Sequence, residues 1–124
     1  MTLALLAAAG GLGAILRFII DRTVTARKYS GFGLGTFVVN MSGALALGTV
    51  LGLASTATLT TTSVDILGTG FLGGFTTFST LTYESFFLLS DEHRWHFGLL
   101  NYFGSLMGGL TLYFLAFEAS RHLT

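Results

Sequence analysis

The sequence predicts an all-α membrane protein with four transmembrane helices. Three observations carry that prediction. Of 124 residues, 52% are hydrophobic and only 10% are charged, with a mean hydropathy of +0.74. A soluble domain this short needs more charge to cover its surface. The charges gather in short runs separated by uncharged stretches of membrane length. The chain also holds 17 glycines and no proline, a composition suited to helices whose backbones approach closely in lipid.

The charge runs set the elements. Arg17, Asp21, Arg22, Arg27 and Lys28 form the first run, and Tyr29 to Val64 carries none. Asp65 stands alone before the uncharged stretch Ile66 to Tyr83. Glu84, Asp91, Glu92 and Arg94 follow, then Trp95 to Phe117 is uncharged, and Glu118 and Arg121 close the chain. A membrane helix needs about 20 apolar residues. The spans are therefore expected over residues 3–20, 33–54, 66–89 and 97–117, as a single four-helix membrane domain. The first span lacks a positive segment ahead of its apolar stretch, and Arg17 comes late in it. It reads as a membrane helix rather than a cleaved leader. Ser55 to Ser63 (STATLTTTS) is a polar connector, and Asp91–His96 joins the last two spans.

Small residues recur at helical spacing: Ala44, Gly48 and Gly52, then Gly70 and Gly74, then Gly104 and Gly108. Such faces pack helices in lipid. Four helices are too few to enclose a selective path alone, so a dimer made through these faces is expected.

Polar groups inside apolar spans are costly and need a reason. Arg17 shares a helical face with Gly10 and Gly13. It is either an interfacial anchor, with Asp21 one turn on as a partner, or a buried positive charge that attracts anions. Asn40 lies mid-span, with Thr36 and Gly43 on its face. Its amide is either interhelical glue or a donor facing a polar path. The most specific segment is Gly68 to Glu84 (GTGFLGGFTTFSTLTYE). After the Gly73–Gly74 pair, Thr76, Thr77, Ser79 and Thr80 make poor helix, so a break at the centre of the third span is expected. Unwound backbone offers carbonyls to a small hard cation and N–H groups to an anion. The alternative is a kinked helix whose hydroxyls bond back to their own turn. Phe75 and Phe78 flank the break, and an aromatic edge carries partial positive charge. Glu84 is an interfacial cap or a vestibule residue. Asn101 and Ser105 share a face of the fourth span. His93 and His96 flank Trp95 as an interfacial aromatic segment rather than a metal site.

Several function classes fall away. No nucleophile–base pair, phosphate-binding loop or carboxylate dyad lies in any span, so the chain is not read as an enzyme. There is no cysteine and the formal net charge is zero, so neither thiol chemistry nor a nucleic-acid partner is expected.

The core GGFTTFST, Gly73–Thr80, resembles the third membrane helix of the CrcB/Fluc fluoride channels. The resemblance covers nearly the whole chain through GGLGAILRF at Gly10–Phe18, GTFVVNMSGALALG at Gly35–Gly48 and NYFGSLMGG at Asn101–Gly109. It implies an antiparallel, dual-topology dimer with two fluoride pathways along the subunit interface, and passive fluoride export that protects the cell. It implies a structural Na⁺ at the dimer axis, held by the main-chain carbonyls of Gly73 and Thr76. The fluoride pathway it suggests runs along Asn40, Thr77, Phe78, Asn101 and Ser105, with Glu84 and Arg17 at its ends. The partners are then fluoride, the lipid bilayer and a second subunit. By the same analogy the chain is a multi-pass protein of a bacterial or archaeal plasma membrane.

One departure stands out. The family reads TTFSTF where this chain has TTFSTL, so Leu81 replaces the second pathway phenylalanine. Basic residues are also biased: Arg22, Arg27, Lys28 and Arg94 lie in the connections on one side, and Arg121 on the other. The positive-inside rule then places both chain ends outside. These two features suggest a partner that is either this chain itself or a paralogous four-helix subunit supplying the missing ring. A small multidrug-type transporter has the same size, but it needs a carboxylate within its first helix, and none precedes Asp21 here. A non-conducting membrane scaffold is the third reading.

Overall fold

A computed structural model describes residues 2–27 and 32–123. Among the described residues the chain is helical, with no strand. α1 runs Thr2–Arg27 and α2 runs Leu34–Ser55. A helical segment follows in pieces: α3 (Thr61–Val64), a π-helical stretch (Asp65–Leu72), α4 (Gly73–Phe75) and α5 (Phe78–Leu89). α6 runs Trp95–His122. Among the described residues three helices, α1, α2 and α6, are long and apolar enough to cross a membrane. α1 continues past residue 20 because Asp21, Arg22 and Thr23 extend the helix, and Thr23 returns its hydroxyl to the Ile19 carbonyl at 2.7 Å.

The π-helical stretch was not anticipated. Its sequence, DILGTGFL, has glycines at 68 and 70, which relax the steric limits on backbone geometry. The widened turn is closed by the Gly73 N–H, which donates to the carbonyl of Gly68, five residues back. α3 begins at a Thr60 cap, whose hydroxyl accepts from the Ser63 N–H at 3.2 Å.

The packing inverts that of a soluble protein. The fully or nearly buried apolar side chains are few: Val39, Leu72, Phe75, Leu81, Leu88 and Ala116. Thr36, Ser85, Asn101, Ser105 and Ser120 are buried beside them, while many leucines and phenylalanines point outward. This is the pattern expected where lipid is the solvent. Phe71 and Phe75, one turn apart, stack with ring centroids 5.9 Å apart beside Val39 and Leu72.

Glycines decide which helices touch. α1 meets the π-helical stretch and α4 through Gly10, Gly13, Gly70 and Gly74, and at Gly13 and Gly74 an added Cβ would strike backbone of the facing helix. α2 packs most extensively on α6, with Gly48 against Tyr113 and Gly52 against Phe117 and Ser120. The interrupted segment is thereby divided. Its first part packs on α1, and α5 packs on α6. The faces at Gly48–Gly52 and Gly70–Gly74 are thus closed within one subunit, correcting the expectation that they join two subunits. Gly104 differs, because its Cβ position meets only Leu100 of its own helix.

Candidate functional site

The helix stops at Phe75 and resumes at Phe78. Between them Thr76 (φ −80°, ψ 159°) and Thr77 (φ −147°, ψ 125°) are extended. Threonine suits both positions because its β-branch favours extended backbone and its hydroxyl replaces lost helical bonds. The Thr76 N–H and hydroxyl both donate to the Leu72 carbonyl, at 2.9 and 3.0 Å, closing the last turn of α4. The Thr77 hydroxyl accepts from the Thr80 N–H at 3.3 Å and so caps α5.

The Thr77 peptide groups are met by Asn40. The Asn40 Nδ2 donates to the Thr77 carbonyl at 2.8 Å, and the Thr77 N–H donates to Asn40 Oδ1 at 2.9 Å. This two-point bond is the glue reading of Asn40. An amide carries a second Nδ2 hydrogen and a second Oδ1 lone pair, so the donor reading is not displaced. Two carbonyls gain from these arrangements. In an α-helix the Gly73 carbonyl would accept from the Thr77 N–H, and the Thr76 carbonyl from the Thr80 N–H. Both donors are engaged elsewhere, on Asn40 and on the Thr77 hydroxyl.

A cavity of about 330 Å³ opens beside the interruption. Gly73, Thr76, Thr77, Phe78, Asn40 and Ser105 all border it. The Phe78 ring is 59% exposed and lies 6.2 Å from the Tyr102 ring. Ser105 is buried, and its hydroxyl has no hydrogen-bond partner among the described residues. Leu81 borders the same cavity and is 3% exposed.

A second cavity, about 220 Å³, is bordered by Arg17, Asp21, Thr36, Thr77 and Thr80. Thr77 borders both cavities. Arg17 and Asp21 share this cavity, yet among the described residues no ion pair joins them. Glu84 reaches the same region by accepting from the Thr36 hydroxyl at 2.9 Å. Its other oxygen is buried without a partner among the described residues. Asp21 and Glu84 abut the first turn of α2, at Gly35 and Gly33. The partial positive charge of a helix N-terminus favours both carboxylates there. Sequence reasoning missed this second role of Asp21. The signal was Gly33 and Gly35, two glycines either side of the first residue of an apolar helix, where side chains from elsewhere need room.

Asn101 borders neither cavity. It is almost fully buried, and its Nδ2 donates to the Ser85 hydroxyl at 3.0 Å, tying α6 to α5. Its Oδ1 is left without a partner among the described residues. Among the described residues no cluster of three or more His, Asp or Glu side chains suits a metal ion.

The Thr36–Glu84 bond can be isolated. Thr36→Val keeps the shape of the side chain and removes the only donor that a half-buried carboxylate has among the described residues. A hydrogen bond to a charged group contributes about 1.5–3 kcal/mol, so thermal unfolding in detergent should show a loss of that order. The same change in a Glu84→Gln background should cost less.

Residues 4–117 match the sequence profile of the family described as CrcB-like protein, Camphor Resistance (CrcB). The chain belongs to this CrcB-like family. It is 40% identical over 114 residues to the fluoride-specific ion channel FluC 1 of Leifsonia xyli subsp. xyli, covering 92% of this chain and 77% of that protein. It is 39% identical over 115 residues to FluC 2 of Moorella thermoacetica, covering 92% and 93%. The FluC of Chloroflexus aurantiacus is 42% identical over 106 residues, covering 85% and 83%. All three relatives carry the name fluoride-specific ion channel, and none is named as an enzyme. The CrcB-like match spans α1 through most of α6 and so includes both cavities.

Proposed function

We propose that this chain is a subunit of a fluoride-selective channel that lets fluoride leave the cell passively, lowering its cytoplasmic concentration. The observation that carries the reading is CrcB-like membership, with relatives named as fluoride-specific channels along nearly the whole chain. The chain is a multi-pass protein of a bacterial plasma membrane, in keeping with the bacterial relatives and the three long apolar helices. Thr61–Leu89 makes the fourth crossing, broken at its centre, and the whole forms one four-helix domain.

Fluoride is small and strongly hydrated, so its path must offer hydrogen-bond donors without holding it too tightly. The Ser105 hydroxyl, the second Nδ2 hydrogen of Asn40 and the edge of the Phe78 ring are such groups, and all border the larger cavity. Thr77 links it to the second cavity, where Arg17 attracts the anion and Glu84 stands near the mouth. Asn101 extends the polar track from Ser105 along α6. A structural Na⁺ fits the carbonyls of Gly73 and Thr76, since their helical donors are engaged elsewhere. When bound, it supplies fixed positive charge beside the path.

Gly73, Phe78 and Ser79 are exposed on this subunit. Irregular backbone at membrane depth is tolerated only where protein or a water-filled cavity covers it. A second subunit, inserted antiparallel, provides that cover. Leu81 lacks the ring edge of the second family phenylalanine, and the basic loops favour one orientation. The partner in this reading is a paralogous subunit.

The test is fluoride efflux from liposomes, read by a fluoride electrode with chloride as control. Efflux that appears only when a paralogue is co-expressed supports the mixed pair. Rapid efflux from this chain alone keeps the channel and replaces the mixed pair with a homodimer. No efflux from folded protein in either case overturns the channel reading.

A further inference from the structure

We propose that Asn40 is a positioning residue that holds the interruption of the third helical segment open, acting through the Thr77 backbone. The inference rests on the channel reading above, but its geometry stands apart from it.

The Asn40 amide spans one peptide residue at both of its polar groups, accepting from the Thr77 N–H and donating to the Thr77 carbonyl. Extended backbone presents these two groups to the same side, as in a paired strand. Thr77 has that conformation, and Asn40 replaces the missing strand. In lipid each of those groups would otherwise have to regain an internal partner. The nearest available one is helical: the Thr77 N–H returning to the Gly73 carbonyl, which joins α4 to α5.

Two consequences follow from this single contact. The Gly73 carbonyl is kept free of its helical donor. Phe78 is the first residue of α5, directly after Thr77, so the contact also fixes where its ring leaves the backbone. That ring has little packing of its own, being 59% exposed with Tyr102 as its aromatic neighbour. Asn40 therefore governs both the carbonyl edge and the aromatic edge of the cavity without supplying either. Serine is too short to make both bonds. Aspartate keeps the acceptor for the Thr77 N–H and loses the donor for the Thr77 carbonyl.

The test uses the full-length protein in lipid with two probes: amide hydrogen exchange at Thr77, and ¹⁹F NMR of 4-fluorophenylalanine at position 78. Asn40→Ser should speed Thr77 exchange at least about tenfold if helix does not re-form, or shift the Thr77 amide resonance to a helical value if it does. Either change should come with a shifted or broadened Phe78 signal and a lower fluoride-over-chloride efflux ratio. Asn40→Asp should keep the Thr77 amide protected and still move the Phe78 signal. It also serves as the second variant should Asn40→Ser fail to fold. The proposal is overturned if efflux falls while the Thr77 amide and the Phe78 signal match the parent, because Asn40 would then act only as a donor to the ion and not through the Thr77 backbone. The NMR probes report on the contact whether or not the parent protein conducts fluoride, so failure of the channel reading remains distinguishable.

Discussion

A Gly74→Leu variant is expected to lose the packing of α1 on the interrupted segment. A Cβ at Gly74 would sit on the Gly10 backbone, with the carbonyl carbon and Cα both 2.9 Å away. A flexible side chain could swing aside from such an intrusion, but a helical backbone can only move as a helix. Displacing α1 would also pull Gly13 from Phe71 and Gly70 from Leu6, since all three contacts lie on one seam. Forced overpacking of this kind costs roughly 3 kcal/mol, occasionally more. In lipid no general hydrophobic force restores the pair, because lipid tails are as apolar as the helix they would replace. The measurement is recovery of monodisperse protein and its unfolding temperature in detergent. Gly11→Ala is the internal control. Gly11 is exposed and nothing lies within 4 Å of its Cβ position, so its change should fall within about 0.5 kcal/mol. Both changes raise helix propensity, so an equal loss in both variants would show that close approach at Gly74 is not what sets the stability of this seam.

The contrast between these glycines explains how far the sequence could be read. Uncharged stretches bounded by Arg17–Lys28 and Asp91–Arg94 made the long helices legible, because charge is the most expensive thing to place in lipid. The repeated small residues were legible as packing faces. Which face meets which helix was not, because Gly48 and Gly104 are equally small and only the fold tells them apart. Gly48 lies on Tyr113 of α6, while the Gly104 Cβ position meets only Leu100 of its own helix. The π-helical turn was equally hidden. Glycines at 68 and 70 permit it, but neither the i−5 bond from Gly73 nor the packing of that stretch on α1 is marked in the residue types.

The site was legible in its residue types and not in their partners. Asn40 was marked by its cost, as an amide in an apolar span, yet its partner lies 37 residues away in the Thr77 backbone. A main-chain partner leaves no mark in the sequence. Leu81 shows the opposite problem. Its departure from the family pattern is plain, but its burial and its place on the cavity wall with Ser105 follow only from α5 packing on α6.

Ser105→Ala is expected to move stability and conduction in opposite directions. The Ser105 hydroxyl is 3% exposed as a residue, borders the larger cavity and has no partner. A serine in a helix ordinarily returns its hydroxyl to a carbonyl in the preceding turn, as Ser42, Ser90 and Ser120 do here. Ser105 does not. Leaving a buried hydroxyl unpaired costs about 1–3 kcal/mol, so its removal should raise the unfolding temperature or leave it unchanged. In the channel reading, the same hydroxyl donates to fluoride as the anion sheds water at the cavity. Losing that donor should slow fluoride efflux about tenfold, the equivalent of ~1.4 kcal/mol. Ser105→Thr, which restores the hydroxyl with one added methyl, should recover part of the rate. Paired stability and efflux measurements on the two variants separate the outcomes. A rise in stability with unchanged efflux would mean that Ser105 faces an idle cavity and that fluoride passes elsewhere. A fall in stability would mean that the hydroxyl has a structural partner, such as a buried water shared with the unpaired Asn101 Oδ1 one turn away.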